Sequence, residues 1–145
     1  MSNTSVYKAV LLDHFHNPRN KGELDAMGMV RRGSNPRCGD EIEVGIDCHN
    51  GALEAVRFRG RGCSICLASA SMMTECISGL QIAQARQLVD GFQQWFGNSD
   101  EATPPHENLA ALGTIRQHPA RKKCVLLAWQ ALAENLDEIE PRKRE

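Results

Sequence analysis

A strict alternation between Glu41 and Asp47 constrains the fold more than any other feature of this sequence. Side chains on a strand point alternately to its two faces, so three β-branched residues lie on one face and acidic residues lie on the other. Asn50-Gly51, a dipeptide typical of tight hairpin turns, follows, and a second alternating segment runs from Glu54 to Arg59. The sequence therefore predicts an antiparallel β-hairpin with one face in a core.

Helical spacing of apolar residues predicts helices on both sides of this hairpin. The first runs from Ser5, a capping residue, to His16, and Asn17-Pro18 ends it. Four more follow: a buried helix after Gly62, an amphipathic helix at 81–96, a short helix at 107–112 and a last helix from Pro119. A weaker edge strand is predicted at 27–32. We expect one domain over residues 1–145, an α+β fold in which helices pack on one face of a small antiparallel three-stranded sheet.

Composition excludes several classes of protein. With 145 residues, 41% hydrophobic and 24% charged, the chain has the make-up of a globular domain, and it has no apolar run of the roughly 20 residues that span a bilayer. The first residues, Met-Ser-Asn-Thr-Ser, lack the features of a secretory signal. A formal net charge of −1 gives no electrostatic footprint for nucleic acid or an anionic membrane. We expect a cytoplasmic protein with neither nucleic-acid nor membrane partners.

Six cysteines are the unusual part of the composition. In a reducing cytosol they serve as metal ligands, reactive thiols or small core residues rather than as disulfides. Cys38 and Asp40 stand two apart, and Gly39 between them permits a tight turn that lets both side chains face one ion. A turn in which Asp40 bonds its own backbone and Cys38 is incidental explains the same pattern equally well.

Cys63 and Cys124 are the other candidate ligands. Cys63 follows Gly60-Arg61-Gly62, where a strand gives way to a helix, and the positive end of a helix favours an anionic ligand such as a thiolate. Cys124 lies about one turn into the last helix, after the basic residues 121–123, whose charges also favour a thiolate. The alternative for Cys124 is a small core residue on the apolar stripe of that helix, and its position alone favours this alternative.

The remaining cysteines and the histidines give weaker signals. Cys63 and Cys66 form a C-x-x-C pair, but no second pair completes a zinc motif. Cys48 is in register with the apolar residues of its strand and Cys76 lies within the buried helix, so both are expected to pack in the core. The five histidines show no ligand spacing, and most are expected at the surface.

Four ordered motifs together resemble a known family. They are Asp13-His14-Phe15-His16-Asn17-Pro18-Arg19-Asn20-Lys21-Gly22, Asn35-Pro36-Arg37-Cys38-Gly39-Asp40, Gly62-Cys63 with Ala68-Ser69-Ala70-Ser71-Met72-Met73-Thr74-Glu75, and Pro119-Ala120-Arg121-Lys122-Lys123-Cys124. The chain resembles the IscU/NifU N-terminal family, and most closely its SufU branch, over residues 7–133. Four motifs in order are far more specific than any one of them.

The resemblance implies a single site at one exposed end of the fold, where Cys38, Asp40, Cys63 and Cys124 hold either a zinc ion or a nascent [2Fe-2S] cluster. It also implies a cysteine desulfurase as sulfur donor and apo iron–sulfur proteins as acceptors. The chemistry of the residues agrees, because thiolates select zinc and iron–sulfur centres while Asp40 adds a weaker oxygen ligand. We expect Cys38 to receive the sulfur, since it lies in the turn with the fewest backbone restraints.

Two departures from the family pattern bear on function. Residues 118–123 stand where IscU proteins have a Leu-Pro-Pro-Val-Lys segment that recruits a chaperone, and residues 97–117 resemble an insertion of the SufU branch, whose members resemble zinc-dependent sulfur acceptors. Cys66 stands where the family has Ser or another small residue. It is an extra thiol, either inert or an alternate sulfur acceptor.

These features predict an iron–sulfur cluster assembly protein that accepts sulfur from a cysteine desulfurase and holds a metal or cluster for transfer to apo proteins. Two versions stay open: a non-enzymatic scaffold and a zinc-dependent sulfurtransferase. A structural zinc-binding interaction module is the alternative from another class, since four ligands also suit a closed tetrahedral site. Thiols on glycine-flanked turns and at a helix start indicate an accessible site, which favours the first interpretation.

Overall fold

The computed structural model describes residues 3–37, 39–98 and 103–140. The elements are, in chain order, α1 (Asn3–His16), β1 (Met29–Asn35), β2 (Asp40–His49), β3 (Ala52–Arg61), α2 (Ser64–Ile77), α3 (Ile82–Gly97), a 3₁₀ helix (Glu107–Ile115) and α4 (Pro119–Ile139). The three strands form one antiparallel sheet in the order β1-β2-β3.

β2 and β3 form the hairpin that the alternation predicted. Their register pairs Val44 with Phe58, so the apolar residues of both strands share one face. Asn50 and Gly51 connect the strands with φ values of 53° and 80°, the left-handed backbone of a turn whose twist matches that of the strands. The prediction of an Asn-Gly hairpin is confirmed.

The predicted core position of Cys48 is wrong. The regular pairing of β2 with β3 is interrupted after Asp47, so that Asp47 pairs with Ala55 while Cys48 pairs with Leu53. An irregularity of this kind breaks the alternation of side chains between the two faces of a sheet. Cys48 is therefore exposed, although Leu53 opposite it is fully buried.

β1 is an edge strand, and it begins two residues later than the sequence predicted. It pairs with β2 from Met29 to Asn35. Gly33 is needed for packing, because a Cβ at this position would lie 3.0 Å from the carbonyl oxygen of Leu127 in α4. The missing side chain lets α4 lie directly against β1.

The helices cover the face of the sheet that carries Val44 and Phe58. α4 packs on β1 and β2, while α2 packs on β3. The rings of Phe92 in α3 and Trp129 in α4 stack with centroids 3.8 Å apart, and both side chains are fully buried. Leu24, from the segment between α1 and β1, covers part of the opposite face. The predicted α+β fold, with helices on one face of a three-stranded sheet, is confirmed.

The motif that follows α1 fastens this helix to α2. The helix begins at Asn3, so Ser5 lies within it rather than capping it. His14 is buried, and its Nδ1 lies 2.8 Å from Ser71 Oγ, which also accepts a hydrogen bond of 2.8 Å from the backbone N–H of Arg19. The general expectation of surface histidines does not hold for His14, which joins two helices.

The second half of the chain follows the predicted pattern with small shifts. The short helix predicted at 107–112 is the longer 3₁₀ helix, and α4 begins at Pro119 as predicted. The predicted apolar stripe of α4 is fully buried, and its members are Val125, Trp129, Leu132 and Leu136. No helix within the described ranges is long and apolar enough to cross a membrane.

Candidate metal centre

Three of the four predicted ligands converge on one point. Asp40 begins β2, Cys63 lies between β3 and α2, and Cys124 lies in the second turn of α4. One carboxylate oxygen and two sulfur atoms all lie within 4.8 Å of one another. Cys38 lies outside the described residues, so its place in this site stays a prediction.

Asp40 is held by strand pairing and by the neighbouring helix start. It pairs with Asn35 at the end of β1, and its Oδ1 accepts a hydrogen bond of 3.0 Å from the backbone N–H of Cys63. The residue is 2% exposed, and its Oδ2 is buried without a hydrogen-bond partner among the described residues. Because a buried carboxylate oxygen without a partner is costly, Oδ2 is a candidate ligand atom for a cation.

Cys63 is the N-cap of α2, as its position before a helix predicted. Its backbone is extended, and its Sγ accepts a hydrogen bond of 3.4 Å from the backbone N–H of Cys66. The side chain is half-buried, whereas Asp40 and Cys124 are buried. The helix dipole and the N–H groups of the first turn favour negative charge on this sulfur.

Gly62 makes the close approach of Asp40 to this helix start possible. A Cβ at Gly62 would lie 2.9 Å from Asp40 Oδ1 and 3.2 Å from Cys66 Sγ, both shorter than ordinary van der Waals contact. Any larger residue would therefore displace the carboxylate or the thiol. The turn at residues 60–62 was visible in the sequence, but a turn does not reveal which groups the missing side chain makes room for.

Cys124 reaches the site because α4 is fixed against α2. Ser69 in α2 is fully buried, and its Oγ donates a hydrogen bond of 2.7 Å to the backbone carbonyl of Val125 and accepts one of 3.1 Å from Nε1 of Trp129. These bonds set the position of α4 next to Cys124, which is 1% exposed. The two interpretations of Cys124, ligand or core residue, are therefore compatible, since its thiol packs in the core and lies within reach of Asp40 and Cys63. The sequence showed Ser69 only as one of several small residues and carried no sign of this role.

The three groups of the site, Asp40, Cys63 and Cys124, are all acids that become negatively charged on losing a proton. Burial raises the pKa of the Cys124 thiol above its ordinary value, and the neighbouring Asp40 and Cys63 raise it further. The prediction that the basic residues 121–123 favour a thiolate at Cys124 is therefore wrong, because the thiol is buried whereas Arg121 and Lys123 are exposed. A cation bound among the three groups would offset their mutual repulsion and favour the thiolates.

The donor set fits a zinc ion or an iron–sulfur cluster. Thiolate sulfurs select these centres over harder cations, and a carboxylate oxygen is an accepted but weaker ligand for them. Two sulfurs and one oxygen supply three of the four positions that tetrahedral zinc takes. The orphaned Oδ2 of Asp40 gives this fit its direct structural support.

Access to the site is narrower than the sequence indicated. Glycine-flanked turns predicted accessible thiols, yet Asp40 and Cys124 are both buried. The reason is the packing of α4 on β1 and β2, which places Cys124 and the start of β2 inside the protein. Among the three described candidate ligands, Cys63 is the one that solvent and partners can reach.

The extra thiols of α2 lie where the sequence predicted. Cys66 is fully buried, and Cys76 is 9% exposed. Burial, together with the nearby Glu75 carboxylate, raises the pKa of Cys76 to about 12. Cys76 is thus a packing residue. Cys66 lies in the first turn of α2, next to its N-cap Cys63 and so beside the candidate centre.

The sequence profile of one family, described as the NifU-like N-terminal domain, matches residues 6–144. The chain belongs to the NifU-like N-terminal domain family. The predicted resemblance to the IscU/NifU N-terminal family is thereby confirmed.

Two relatives resemble this NifU-like chain over most of their length. The zinc-dependent sulfurtransferase SufU of Bacillus subtilis is 38% identical over 129 residues, which cover 88% of this chain and 87% of that protein. The iron–sulfur cluster assembly scaffold protein IscU of Thermotoga maritima is 31% identical over 134 residues, which cover 92% and 94%. Both branches considered from the sequence are therefore represented among its relatives.

Solved structures share the NifU-like fold. The N-terminal part of a nitrogen-fixing NifU-like protein from Brucella abortus has a TM-score of 0.83 at 20% identity and covers 97% of this chain and 99% of that one. A protein known only as hypothetical has a TM-score of 0.82 at 32% identity, with 92% and 98% covered. At 20% identity the likeness to the Brucella protein concerns the fold alone.

Proposed function

We propose that this protein is an iron–sulfur cluster assembly protein of the cytoplasm, which accepts sulfur from a cysteine desulfurase at a metal–thiolate centre and delivers sulfur or a [2Fe-2S] cluster to apo proteins. The observation that carries the proposal is the convergence of Asp40, Cys63 and Cys124, with donor atoms within 4.8 Å of one another, in a chain of the NifU-like N-terminal domain family. The names of the SufU and IscU relatives support it.

Four residues would hold the metal: Cys38, Asp40, Cys63 and Cys124. A bound zinc ion would supply the positive charge that keeps thiols deprotonated. The chain itself supplies the placement of the ligands, since the N–H of Cys63 holds Asp40 through Oδ1 and leaves Oδ2 for the metal. Asp40 is also the weakest of the four ligands, which suits a centre that must release its cargo.

Sulfur transfer needs a thiolate that can reach the persulfide of a partner. We assign this role to Cys38, whose thiolate would attack the outer sulfur of the desulfurase persulfide. The S–S bond to the desulfurase cysteine breaks, that cysteine leaves as a thiolate, and Cys38 carries the new persulfide. Its neighbours Arg37 and Gly39 are exposed, whereas Cys124 is 1% exposed. An acceptor in this loop therefore meets a partner more easily than one in α4.

One observation favours the zinc-dependent sulfurtransferase over the cluster scaffold. Sequence identity does not separate the two, since the chain is 38% identical to the Bacillus SufU protein and 39% identical to the IscU protein of Aquifex aeolicus. The segment that resembles the SufU insertion contains the 3₁₀ helix, and this helix contributes Leu109 and Leu112, both fully buried, to the core. This segment is therefore an integral part of the fold rather than an appended loop.

The experiment starts from protein purified without oxygen, with metal analysis and an optical spectrum. We expect zinc in the isolated protein and, after incubation with a cysteine desulfurase and cysteine, a persulfide on the peptide that contains Cys38. Cys38→Ser should lose the persulfide, while Cys48→Ser, which alters an exposed thiol of β2, should keep it.

Three outcomes separate the alternatives. Persulfide on Cys38 without cluster transfer to an apo ferredoxin identifies the sulfurtransferase. Transfer of a reconstituted [2Fe-2S] cluster identifies the scaffold. Bound zinc with neither activity would overturn the proposal in favour of a structural zinc module.

A further inference from the structure

Cys63 and Cys66 form a C-x-x-C pair whose second thiol has no role in the proposed sulfur transfer. Cys63 is the N-cap of α2, and its Sγ lies 3.4 Å from the backbone nitrogen of Cys66 in the first turn. The thiol of Cys66 points back toward the start of the helix, because its Sγ lies 3.2 Å from the Cβ position of Gly62. Both sulfur atoms therefore lie at the same end of α2, beside the candidate metal centre.

The backbone geometry of this pair suits a disulfide. A disulfide requires Cα atoms within about 7 Å of each other, and residues three apart in the first turn of a helix are roughly 5 to 6 Å apart. Cys63 is half-buried, whereas Cys66 is fully buried. An accessible thiol at a helix N-terminus, followed three residues later by a buried one, is the arrangement in which C-x-x-C pairs undergo dithiol–disulfide exchange.

We propose that Cys63 and Cys66 form a reversible disulfide that withdraws Cys63 from the metal centre, so that oxidation of the chain releases its metal. The release rests on the proposed function, because it requires Cys63 to be a ligand. The disulfide itself does not depend on the metal.

The oxidant is a small-molecule disulfide, RSSR, such as oxidised glutathione. The thiolate of Cys63 attacks one sulfur of RSSR, forms a mixed disulfide and releases one thiolate of R. The sulfur of Cys66 then attacks Sγ of Cys63, forms the Cys63–Cys66 disulfide and releases the second thiolate of R. Two electrons pass from the protein to RSSR. The proton of the Cys66 thiol ends on one molecule of RSH, and because the metal-bound Cys63 is already a thiolate, the second thiolate of R takes its proton from water.

Cys66 is the partner of Cys63 that lies in the same helical turn. Cys124 belongs to a different helix, whose position is set by the hydrogen bonds of the buried Ser69 to Val125 and Trp129. The sulfur atoms of Cys63 and Cys124 lie within 4.8 Å of each other, so a Cys63–Cys124 disulfide is the competing product. A Cys63–Cys66 disulfide closes within one helical turn and adds no link between α2 and α4.

The test is a redox titration of the full zinc-loaded chain without oxygen. The protein is equilibrated with mixtures of reduced and oxidised glutathione, remaining thiols are blocked with N-ethylmaleimide, and mass spectrometry counts and maps the disulfides. A chromogenic chelator measures released zinc at each point. We expect two thiols to disappear together, to map to Cys63 and Cys66, and zinc to appear at the same midpoint.

Two matched variants sharpen the result. Cys66→Ser should need at least about tenfold more oxidised glutathione to release zinc, because the intramolecular second step is lost. Cys76→Ser, which removes another buried thiol of α2, should titrate like the parent. Cys66→Ala serves as a second variant should Ser destabilise the helix, and the mapping on the parent chain needs no variant.

Specific results would overturn the proposal. They are a disulfide from Cys63 to Cys38 or Cys124, zinc release while Cys63 and Cys66 both stay reduced, and a folded Cys66→Ser that binds no zinc before oxidation, which would make Cys66 a ligand. A parent chain that forms the Cys63–Cys66 disulfide but never binds zinc would contradict the metal centre while supporting the disulfide. The two proposals can therefore fail separately.

Discussion

The backbone N–H of Cys63 donates a hydrogen bond of 3.0 Å to Oδ1 of Asp40, so that one candidate ligand holds another in place. This bond joins the start of β2 to the start of α2. It also gives the two carboxylate oxygens of Asp40 different environments. Oδ1 fixes the side chain, while Oδ2 is buried without a hydrogen-bond partner among the described residues. The geometry of the centre thus depends on the backbone as well as on the ligands.

Removing a sulfur ligand should abolish tight zinc binding. Cys63→Ala should lower zinc affinity by at least about a hundredfold, since loss of a group that only supports a ligand already costs roughly 10- to 100-fold. Competition with a chromogenic chelator measures the affinity. Cys76→Ala, a buried thiol of the same helix, should keep zinc and lose only stability. Equal affinities of the two variants would exclude Cys63 as a ligand.

A methyl group at position 62 should disturb the centre without touching a ligand. Gly62→Ala places a Cβ 2.9 Å from Asp40 Oδ1, so the carboxylate must move and zinc affinity should fall roughly tenfold or more. Gly22→Ala is the matched control, because no atom lies within 4 Å of its Cβ position. If Gly62→Ala binds zinc as tightly as Gly22→Ala, the position of Asp40 is irrelevant to the site.

Exchanging the oxygen ligand for sulfur should slow the release of cargo. Asp40→Cys replaces a carboxylate with a thiolate, which binds iron–sulfur centres more strongly, so a reconstituted [2Fe-2S] cluster should reach an apo ferredoxin roughly tenfold more slowly or worse. Visible circular dichroism follows the transfer. Glu54→Cys adds a thiol at an exposed site on β3 and should transfer like the parent. A parent-like rate in Asp40→Cys would remove the role of Asp40 as the labile ligand.

His14 should make stability depend on pH. Burial, and then the charge of Arg19, lower its pKa below the ordinary value of 6.5, against the opposing effects of Glu75 and Asp13. The unfolded chain then binds more protons at this residue than the folded one does, so the free energy of unfolding should fall as the pH drops below 6.5 and through the lowered pKa.

Urea unfolding at a series of pH values measures this effect. His14→Gln should show a weaker loss of stability than the parent does as the pH falls below 6.5. His16→Gln, which alters an exposed histidine of the same helix, should behave like the parent. Identical pH profiles for all three proteins would contradict the assignment to His14.

Local patterns were enough for the elements of secondary structure and for the position of one candidate ligand. The alternation between Glu41 and Asp47 and the Asn50-Gly51 dipeptide determined the hairpin, because side-chain period and turn geometry act within a few residues. The helix start after Gly62 determined that Cys63 caps α2. These features need no contact between distant parts of the chain.

Contacts across the fold decided the rest. Cys124 is adjacent to Asp40 because α4 packs on β1, β2 and α2, where the hydrogen bonds of Ser69 hold it. Helical periodicity alone assigned Cys124 to the core. Cys48 is exposed and not in the core, because an irregularity in the pairing of β2 with β3 directs its side chain to solvent. The sequence by itself determined which elements form and which residues carry metal-binding chemistry. Only the tertiary structure decided which of those residues meet, because pairing, helix packing and burial join residues far apart in the chain.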